Sequence, residues 1–277
     1  MTVREKRKEL TDIISTFSDN PAFEATELII YATEIKRSAF LINQDMPLSE
    51  AEEKRLDLLL KRRLSGEPLQ YILGVWEFYG REFAVGKGVL IPRADTEILV
   101  ETALDYLYSK QNPTVFDFCA GSGAIGISIK AQKNDCDVVL VEKSLSAYKY
   151  LKKNILLNNV NCKAVRKDIF KFFPKMPCDL LVCNPPYIKS EIMKTLSPEV
   201  KKEPKTALDG GNDGLMFYRK ISENAERYLK HGGKIMFEIG YDEADAVKDI
   251  LQRNSFFNIE CYKDFGNNDR VVCADYK

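Results

Sequence analysis

Residues 114–126 read TVFDFCAGSGAIG, an apolar run that ends in a turn of small residues before a second apolar run begins. The pattern predicts a strand over Thr114–Cys119 and a helix over Ala124–Lys130. Three glycines with the spacing GxGxxG lie in the turn between them and in the first turn of the helix. Such glycines let the backbone approach a ligand closely and present amide groups at a helix N-terminus. The stretch therefore predicts one strand–turn–helix unit of an α/β fold, with a ligand site at the turn.

The chain on the C-terminal side of this unit alternates between strand-type and helix-type segments. Further strands are predicted at Asp137–Glu142, Lys163–Lys167, Leu180–Cys183, Lys234–Ile239, Phe257–Tyr262 and Arg270–Ala274, and further helices at Ser146–Asn158, Leu215–Leu229 and Glu243–Arg253. Alternation at this spacing is typical of a doubly wound, mostly parallel sheet. The last two strands are joined by the turn-type sequence DFGNND, which predicts a hairpin and therefore an antiparallel C-terminal strand.

The chain on the N-terminal side has a helical pattern. Apolar residues recur there at helical spacing, and Ser49 followed by Glu52 is typical of a capping box at a helix start. The segment FYGREFAVGKGVLIP (78–92) then contains two β-type runs around glycine breaks, which predict a hairpin. We therefore divide the chain into a small helical domain (1–74), a linking β-hairpin (75–92) and an α/β domain (93–277).

Charge and cysteine content argue against several classes of function. The 277 residues hold 41 Lys+Arg and 41 Asp+Glu, so the chain has no global positive field of the kind that binds nucleic acid. No apolar stretch approaches the roughly 18 uncharged residues of a membrane span. A single histidine, His231, and seven cysteines without a CxxC pair argue against a zinc site. We expect a cytoplasmic monomer with reduced thiols, no metal, no membrane association and no direct contact with nucleic acid.

Acidic residues near the glycine turn indicate what it binds. Glu142 ends the next predicted strand, where an NAD-dependent oxidoreductase or an S-adenosylmethionine enzyme needs a carboxylate for ribose hydroxyls. Asp117 lies inside the first strand, where a buried carboxylate has to face a ligand ammonium group or loop amides. Asp168 is placed either to accept a hydrogen bond from an adenine amino group or to cap a helical turn at Ile169–Phe172. Together these residues favour S-adenosyl-L-methionine over NAD.

A second motif, NPPY at 184–187, follows the predicted strand Leu180–Cys183. Ligands of open α/β sheets bind beyond the carboxyl ends of the strands, and two prolines stiffen the backbone there. Asn184 offers a side-chain acceptor, Pro185 a carbonyl acceptor and Tyr187 a stacking face. Two acceptors can grip the N–H groups of a poorly nucleophilic amide or amine and direct its lone pair at a methyl sulfonium. The motif predicts methyl transfer to a planar nitrogen, with Asn184, Pro185 and Tyr187 as catalytic residues.

Taken together, these motifs resemble the release-factor glutamine methyltransferases, the HemK/PrmC family of S-adenosylmethionine-dependent enzymes. The specific segments are GEPLQYILG (66–74), IPRADTE (91–97) and ALDGGNDGL (207–215), whereas NPPY is shared with adenine and guanine methylases. The resemblance implies a Rossmann-like catalytic domain and an N-terminal domain that helps to dock the substrate. It also implies a reaction: methylation of the glutamine in the GGQ loop of class I peptide-chain release factors.

The resemblance assigns site residues as well. It assigns the cofactor, S-adenosyl-L-methionine, to Cys119, Ala120, Gly121, Ser122, Gly123, Glu142, Asp168 or its neighbour Ile169, and Asn184. It assigns the substrate glutamine to Asn184, Pro185, Pro186 and Tyr187. Three positions depart from the family pattern: Cys119 replaces a glycine, Glu142 an aspartate and Ala94 a proline. Asp117 is added to the cofactor residues from its position in the strand.

Other interpretations stay open on the sequence alone. NPPY also suits a DNA or RNA amino-methyltransferase, GxGxxG also suits an NAD-dependent oxidoreductase, and the helices also suit a non-catalytic adaptor. Arg93 and Thr96 lie either at the rim of the cofactor site or at a helix N-terminus capped by Asp95. Glu238 ends a strand on the ligand side, where it either faces the site or forms a structural salt bridge. We expect the long connection Ile188–Asn212 to border the substrate site.

Overall fold

The computed structural model describes residues 1–277, and the chain divides into two compact units. The first contains Met1–Gly74 together with Pro198–Lys202, and the second contains Val75–Ser197 and Glu203–Lys277. No helix is both long enough and apolar enough to cross a lipid bilayer. No group of three or more His, Cys, Asp or Glu side chains is placed to hold a metal ion.

The first unit is helical. Its helices are α1 (Val3–Ile14), α2 (Pro21–Thr33), α3 (Glu50–Leu64) and the short α4 (Leu69–Leu73). The capping box predicted for α3 is confirmed, because Ser49 Oγ accepts from the Glu52 amide at 3.3 Å and the Glu52 carboxylate accepts from the Ser49 amide at 2.7 Å. This reciprocal pair fixes where α3 begins.

An ion pair is buried among these helices. Arg63, which is 2% exposed, donates to both carboxylate oxygens of Glu24 at 2.6 and 3.0 Å and also pairs with Glu199. The bidentate contact with Glu24 and the further contact with Glu199 provide acceptors for several N–H groups of the guanidinium. Loss of Arg63 would leave the Glu24 carboxylate buried without its cation.

The second unit contains all the strands of the protein. They are β1 (Val75–Phe78), β2 (Arg81–Ala84), β3 (Thr114–Phe118), β4 (Asp137–Glu142), β5 (Lys163–Arg166), β6 (Cys178–Cys183), β7 (Ile188–Lys189), β8 (Asp209–Gly211), β9 (Leu229–Glu238), β10 (Phe256–Lys263) and β11 (Asp269–Tyr276). The helices of this unit are α5 (Glu97–Leu107), α6 (Ala124–Gln132), α7 (Leu145–Leu157), α8 (Met216–Ser222) and α9 (Ala244–Arg253).

Seven strands form one sheet in the order β10–β11–β9–β6–β3–β4–β5. β11 pairs antiparallel with both β9 and β10, and every other pair in the sheet is parallel. The predicted mostly parallel sheet with an antiparallel C-terminal strand is confirmed. β1 and β2 form a separate hairpin, and the short β7 and β8 pair with each other.

Helices cover both faces of the large sheet because successive residues of a strand point to opposite faces. On one face Val115 and Leu180 pack with residues of α5, α6 and α7. On the other face Phe116 and Leu181 pack with residues of α8 and α9. The predicted doubly wound arrangement is confirmed, and it brings the carboxyl ends of β3, β4 and β6 to one edge of the sheet.

The predicted hairpin is shorter in the structure than in the sequence pattern. β2 ends at Ala84, and a turn in which the Val89 amide donates to the Gly86 carbonyl at 3.2 Å interrupts the second β-type run. Val89 and Ile91 are nevertheless buried. The apolar pattern of this run therefore reflects core packing of an irregular segment and not a strand.

The helix predicted over Leu215–Leu229 is also wrong in its second half. α8 ends at Ser222, a short 3₁₀ turn follows at Ala225–Arg227, and β9 begins at Leu229. Leu229 pairs with Cys178 of β6, whose amide also donates to the Tyr228 carbonyl at 2.7 Å. These sheet contacts take the backbone of this segment away from a helical path.

Candidate active site

A cavity of about 870 Å³ lies at the carboxyl ends of β3, β4 and β6. Its wall is formed by residues from 88–96, 119–125, 141–147, 168–170, 184–190 and 204–220. Open α/β sheets bind their ligands at this position, and the volume is within the range of cofactor sites. The glycine turn and the NPPY motif, which are about sixty residues apart in the chain, therefore share one cavity.

The turn after β3 is fastened to β4. The Ala120 amide donates to the Val141 carbonyl at 3.2 Å, and the Gly121 amide donates to Glu142 Oε2 at 2.8 Å. Gly121 has φ +56°, and a Cβ at this position would meet no atom nearer than 3.9 Å. The glycine therefore permits the left-handed backbone and leaves the turn open for a ligand. Three other residues of the turn also line the cavity: Cys119, Ala120 and Ser122.

Glu142 is the carboxylate nearest to this turn. Its oxygens accept hydrogen bonds from the Gly121 amide at 2.8 Å and the Ser144 amide at 2.6 Å. Burial raises the pKa of Glu142, and these hydrogen bonds offset the effect only in part. Each carboxylate oxygen has a further lone pair, so Glu142 can still accept hydrogen bonds from ligand hydroxyls.

Asp168 has the capping role considered for it from the sequence, and its place in the cavity wall leaves the predicted contact with an adenine amino group open to it. It is the N-cap of a 3₁₀ turn at Ile169–Lys171 and accepts from the Phe170 amide at 3.1 Å. It also lines the cavity, with Ile169 and Phe170 beside it. Burial alone would raise its pKa, but the Lys143 ammonium at 2.9 Å and the Phe170 amide outweigh burial and lower it. Asp168 is therefore an ionised acceptor next to an apolar surface.

Two of the predicted cofactor residues do not reach the cavity wall. Asp117 is fully buried on the face of β3 that α6 covers, and its Oδ2 accepts from the Gly126 amide at 2.9 Å. Its other oxygen has no partner, and burial raises its pKa to about 7. Gly123 is the N-cap residue of α6 and is likewise absent from the lining. Asp117 and Gly123 therefore stabilise the turn from the side that faces away from the cavity.

The NPPY tip presents only part of itself to the cavity. Asn184 and Pro186 line the wall, whereas Pro185 is buried and does not. The Tyr187 ring packs against the core cluster under α8 and α9, and its burial and the neighbouring Glu238 raise its pKa to about 12. In this conformation the ring holds the tip against the core and is not a platform inside the cavity.

Asn184 is tied to two residues that the sequence left undecided. Its Nδ2 donates to Thr96 Oγ1 at 3.3 Å, and Thr96 and Glu238 are 4% and 2% exposed. Burial outweighs the hydrogen bonds from the Thr96 hydroxyl and the Asn184 amide, so the pKa of Glu238 is raised to about 7. These polar side chains form a buried group directly behind the tip of β6.

The prediction that Asp95 caps α5 is wrong. No side chain caps this helix, and Asp95 instead pairs with Arg270 of β11 at 3.2 Å. Arg93 lines the cavity and pairs with Glu203, whose carboxylate also accepts from the Ile91 amide at 3.0 Å. The segment before α5 is therefore held by β11 through Arg270 on one side and by Glu203 on the other.

Sequence reasoning expected the connection 188–212 to border the substrate site but did not name the side chains that form the wall beyond the NPPY tip. The Phe170 and Phe217 rings lie 5.4 Å apart, the Lys220 ammonium lies 4.8 Å from the Phe170 ring centre, and Lys205 also lines the cavity. Lys205 belongs to the predicted long connection, which returns to the cavity because β8 pairs with β7. The apolar spacing around Phe217 indicated only a helix face, so nothing in it pointed to the cavity.

Comparison with known proteins agrees with this geometry. The family described as PrmC N-terminal domain matches residues 7–74, and the family described as methyltransferase small domain matches residues 94–211. A release factor glutamine methyltransferase of Thermodesulfovibrio yellowstonii is 40% identical over 268 residues, which cover 95% of each chain. One of Clostridium botulinum is 41% identical over 243 residues, which cover 86% of each chain.

The fold is also similar to that of a solved methyltransferase from Pyrococcus furiosus. The TM-score is 0.54 at 16% sequence identity, and the match covers 80% of this chain and 98% of that one. At this identity the likeness concerns the fold alone.

Proposed function

This chain belongs to the release factor glutamine methyltransferases, and on that premise we propose that it methylates the glutamine of the GGQ loop in class I peptide-chain release factors. The methyl acceptor is the side-chain amide nitrogen, and the methyl donor is S-adenosyl-L-methionine. One observation carries the proposal: Asn184 shares a single cavity with the Gly121 turn, Glu142 and Asp168. One cavity therefore offers an acceptor for the N–H groups of the substrate amide, which is Asn184, and acceptors for the nucleoside part of the cofactor, which are Glu142 and Asp168.

The residues of the cavity suit S-adenosyl-L-methionine. Glu142 has acceptor capacity for ribose hydroxyls, and Asp168 is an acceptor for an adenine amino group with the apolar Ile169 beside it. The turn at Cys119–Ser122 leaves room for the amino-acid portion, because Gly121 adds no side chain there. When bound, the cofactor supplies an electrophilic methyl group on a sulfonium.

The NPPY tip orients the acceptor nitrogen. The Asn184 side-chain oxygen lines the cavity and accepts one N–H group of the substrate glutamine, and the Pro185 carbonyl accepts the other, so the nitrogen lone pair points away from both acceptors. Pro185 does not line the cavity in this conformation, so its carbonyl has to turn toward the substrate when the glutamine binds. Pro186 and Tyr187 keep these acceptors in place by stiffness and core packing. Orientation of a weak nucleophile contributes to the rate without a strong base, and the nitrogen releases one proton to solvent as it gains the methyl group.

The domains divide the work. We assign substrate docking to residues 1–74, a linking role to 75–92 and catalysis to 93–277, with the enzyme acting as a cytoplasmic monomer. The balanced charge of 41 basic and 41 acidic residues supports a protein substrate over nucleic acid.

The test is mass spectrometry of a purified class I release factor after incubation with the protein and isotope-labelled S-adenosyl-L-methionine. We expect one labelled methyl group on the GGQ glutamine. The matched control is the same release factor with that glutamine replaced by alanine, which is expected to stay unlabelled. Label on the control, or label on DNA or RNA oligonucleotides in place of the release factor, would overturn the proposal.

A further inference from the structure

The side chain of Asn184 interacts with Thr96 and Glu238 on the side that faces away from the cavity. Asn184 Nδ2 lies 3.3 Å from Thr96 Oγ1, and both side chains act on the Glu238 carboxylate as hydrogen-bond donors that lower its pKa. Asn184 and Thr96 line the cavity, whereas Glu238 is 2% exposed and lies behind them. Glu238 Oε2 has no hydrogen-bond partner in the protein. The carboxylate thus keeps unused acceptor capacity, and it faces these two donors.

When Glu238 is ionised, the chemistry of these groups allows one arrangement. An ionised carboxylate only accepts hydrogen bonds, so the single hydroxyl proton of Thr96 is donated to Glu238. The Thr96 oxygen then accepts from an N–H group, and only the Nδ2 end of Asn184 carries N–H groups. The reverse amide orientation would place Asn184 Oδ1 against the carboxylate, with two acceptors facing each other. The amide is therefore held with Nδ2 inward, and Oδ1 is the end that remains for the cavity.

We propose that Thr96 and Glu238 are positioning residues that select the orientation of the Asn184 carboxamide, so that an acceptor and not a donor meets the substrate. The inference rests on the proposed function, because its consequence depends on a substrate that offers N–H groups. A glutamine amide presents two N–H donors at its nitrogen. An inverted Asn184 would present N–H groups to N–H groups and lose the grip on the substrate.

The charges around Glu238 determine whether it stays an acceptor. The charged and titratable side chains that act on it are Arg270, Asp95, Tyr187, Tyr218, Cys183 and, through a hydrogen bond to Tyr218, Glu243. Arg270 is the one cation in this set, and it is itself paired with Asp264 at 2.9 Å. Arg270 favours the ionised form of Glu238 and opposes the effect of burial.

The test compares Thr96→Val, which keeps the shape but removes the hydroxyl, with Thr96→Ser, which keeps the hydroxyl. We expect Thr96→Val to lower kcat of release-factor methylation about 10- to 100-fold, the range seen when a supporting hydrogen bond is removed behind a functional group. KM for the release factor and the cofactor affinity measured by calorimetry are expected to stay within about twofold. Thr96→Ser is expected to recover most of the lost kcat.

The matched control is Thr102→Val in α5, the helix that begins directly after Thr96, where the hydroxyl donates to the Ile98 carbonyl at 2.8 Å. It is expected to methylate at the wild-type rate. If Thr96→Val does not fold, Glu238→Gln replaces it, because an amide at this position can donate to Thr96 and so reverse the arrangement.

Wild-type kcat in the folded Thr96→Val or Glu238→Gln variant would overturn the inference, as would a Thr96→Ser variant as slow as Thr96→Val. Failure of the proposed function itself is distinguishable, because the wild-type protein would then transfer no label to the release factor at all.

Discussion

Gly214→Ala tests whether the NPPY tip has to be held in its observed position. Gly214 follows β8, and a Cβ there would lie 2.5 Å from the Tyr187 carbonyl oxygen and 2.4 Å from Glu243 Oε1. The distance to Tyr187 is about 0.9 Å short of the 3.4 Å at which ordinary contact begins. Tyr187 is the last residue of the tip, so its backbone has to move by nearly that amount. A displacement of about 1 Å at reacting groups costs about 100-fold in rate.

The positive φ of Gly214 also costs stability in the alanine variant, and this cost has to be distinguished from the effect of the displacement on the rate. Gly214 has φ +82°, where an alanine is strained by about 1–2 kcal/mol. Gly232 offers a matched control, because it has φ +74° and a Cβ there would meet no atom within 4 Å. Both alanine variants are therefore expected to lose about 1–2 kcal/mol of unfolding free energy to backbone strain, and Gly214→Ala is expected to lose more because of its close contacts. Only Gly214→Ala is expected to lose about 100-fold in kcat.

The assay is the initial rate of labelled-methyl transfer to the release factor, with urea unfolding of both variants followed in parallel. Equal kcat values for Gly214→Ala and Gly232→Ala would refute the reasoning, because the loop after β8 would then have absorbed the displacement without moving the tip.

Two further predictions concern charge. Since burial raises the pKa of Glu238 to about 7, kcat is expected to fall as the pH drops below about 7, where the protonated carboxyl can donate to Thr96. Glu238→Gln is expected to be slow at every pH, and persistence of the same acidic decline in that variant would assign it to another group. Arg63→Met is expected to lower the free energy of unfolding in urea by about 3–5 kcal/mol, because it leaves the Glu24 carboxylate buried without its partner. Lys54→Met, which breaks an exposed pair with Glu50, is expected to change it by less than about 1 kcal/mol; a similarly small loss in Arg63→Met would contradict the prediction.

Much of the fold was predictable because periodicity and turn chemistry are local signals. The bounds of β4 are those expected from the sequence, and the capping box at Ser49 begins α3 as expected. The second half of the helix predicted over Leu215–Leu229 was not predictable. Its sequence is compatible with a helix, and it is sheet pairing of Leu229 with Cys178 that determines the outcome.

The residues that line the cavity were predictable where they lie at the carboxyl end of a strand. Glu142, Asp168 and Asn184 all reach the wall from such positions. Asp117 does not, because strand side chains alternate and the sequence does not say which face α6 covers. Lys205 reaches the wall through the pairing of β7 with β8, a long-range contact that no local pattern records.

The most direct measurement of the central claim is the single-turnover rate of methyl transfer by Asn184→Ala, with the cofactor at saturating concentration. If the Asn184 carboxamide grips the substrate nitrogen, the rate falls by about 100- to 1,000-fold, as when a preorganised hydrogen-bonding group is removed from an active site, and the thermal unfolding midpoint stays near the wild-type value. A folded variant that methylates the GGQ glutamine at the wild-type rate would show that another group orients the substrate.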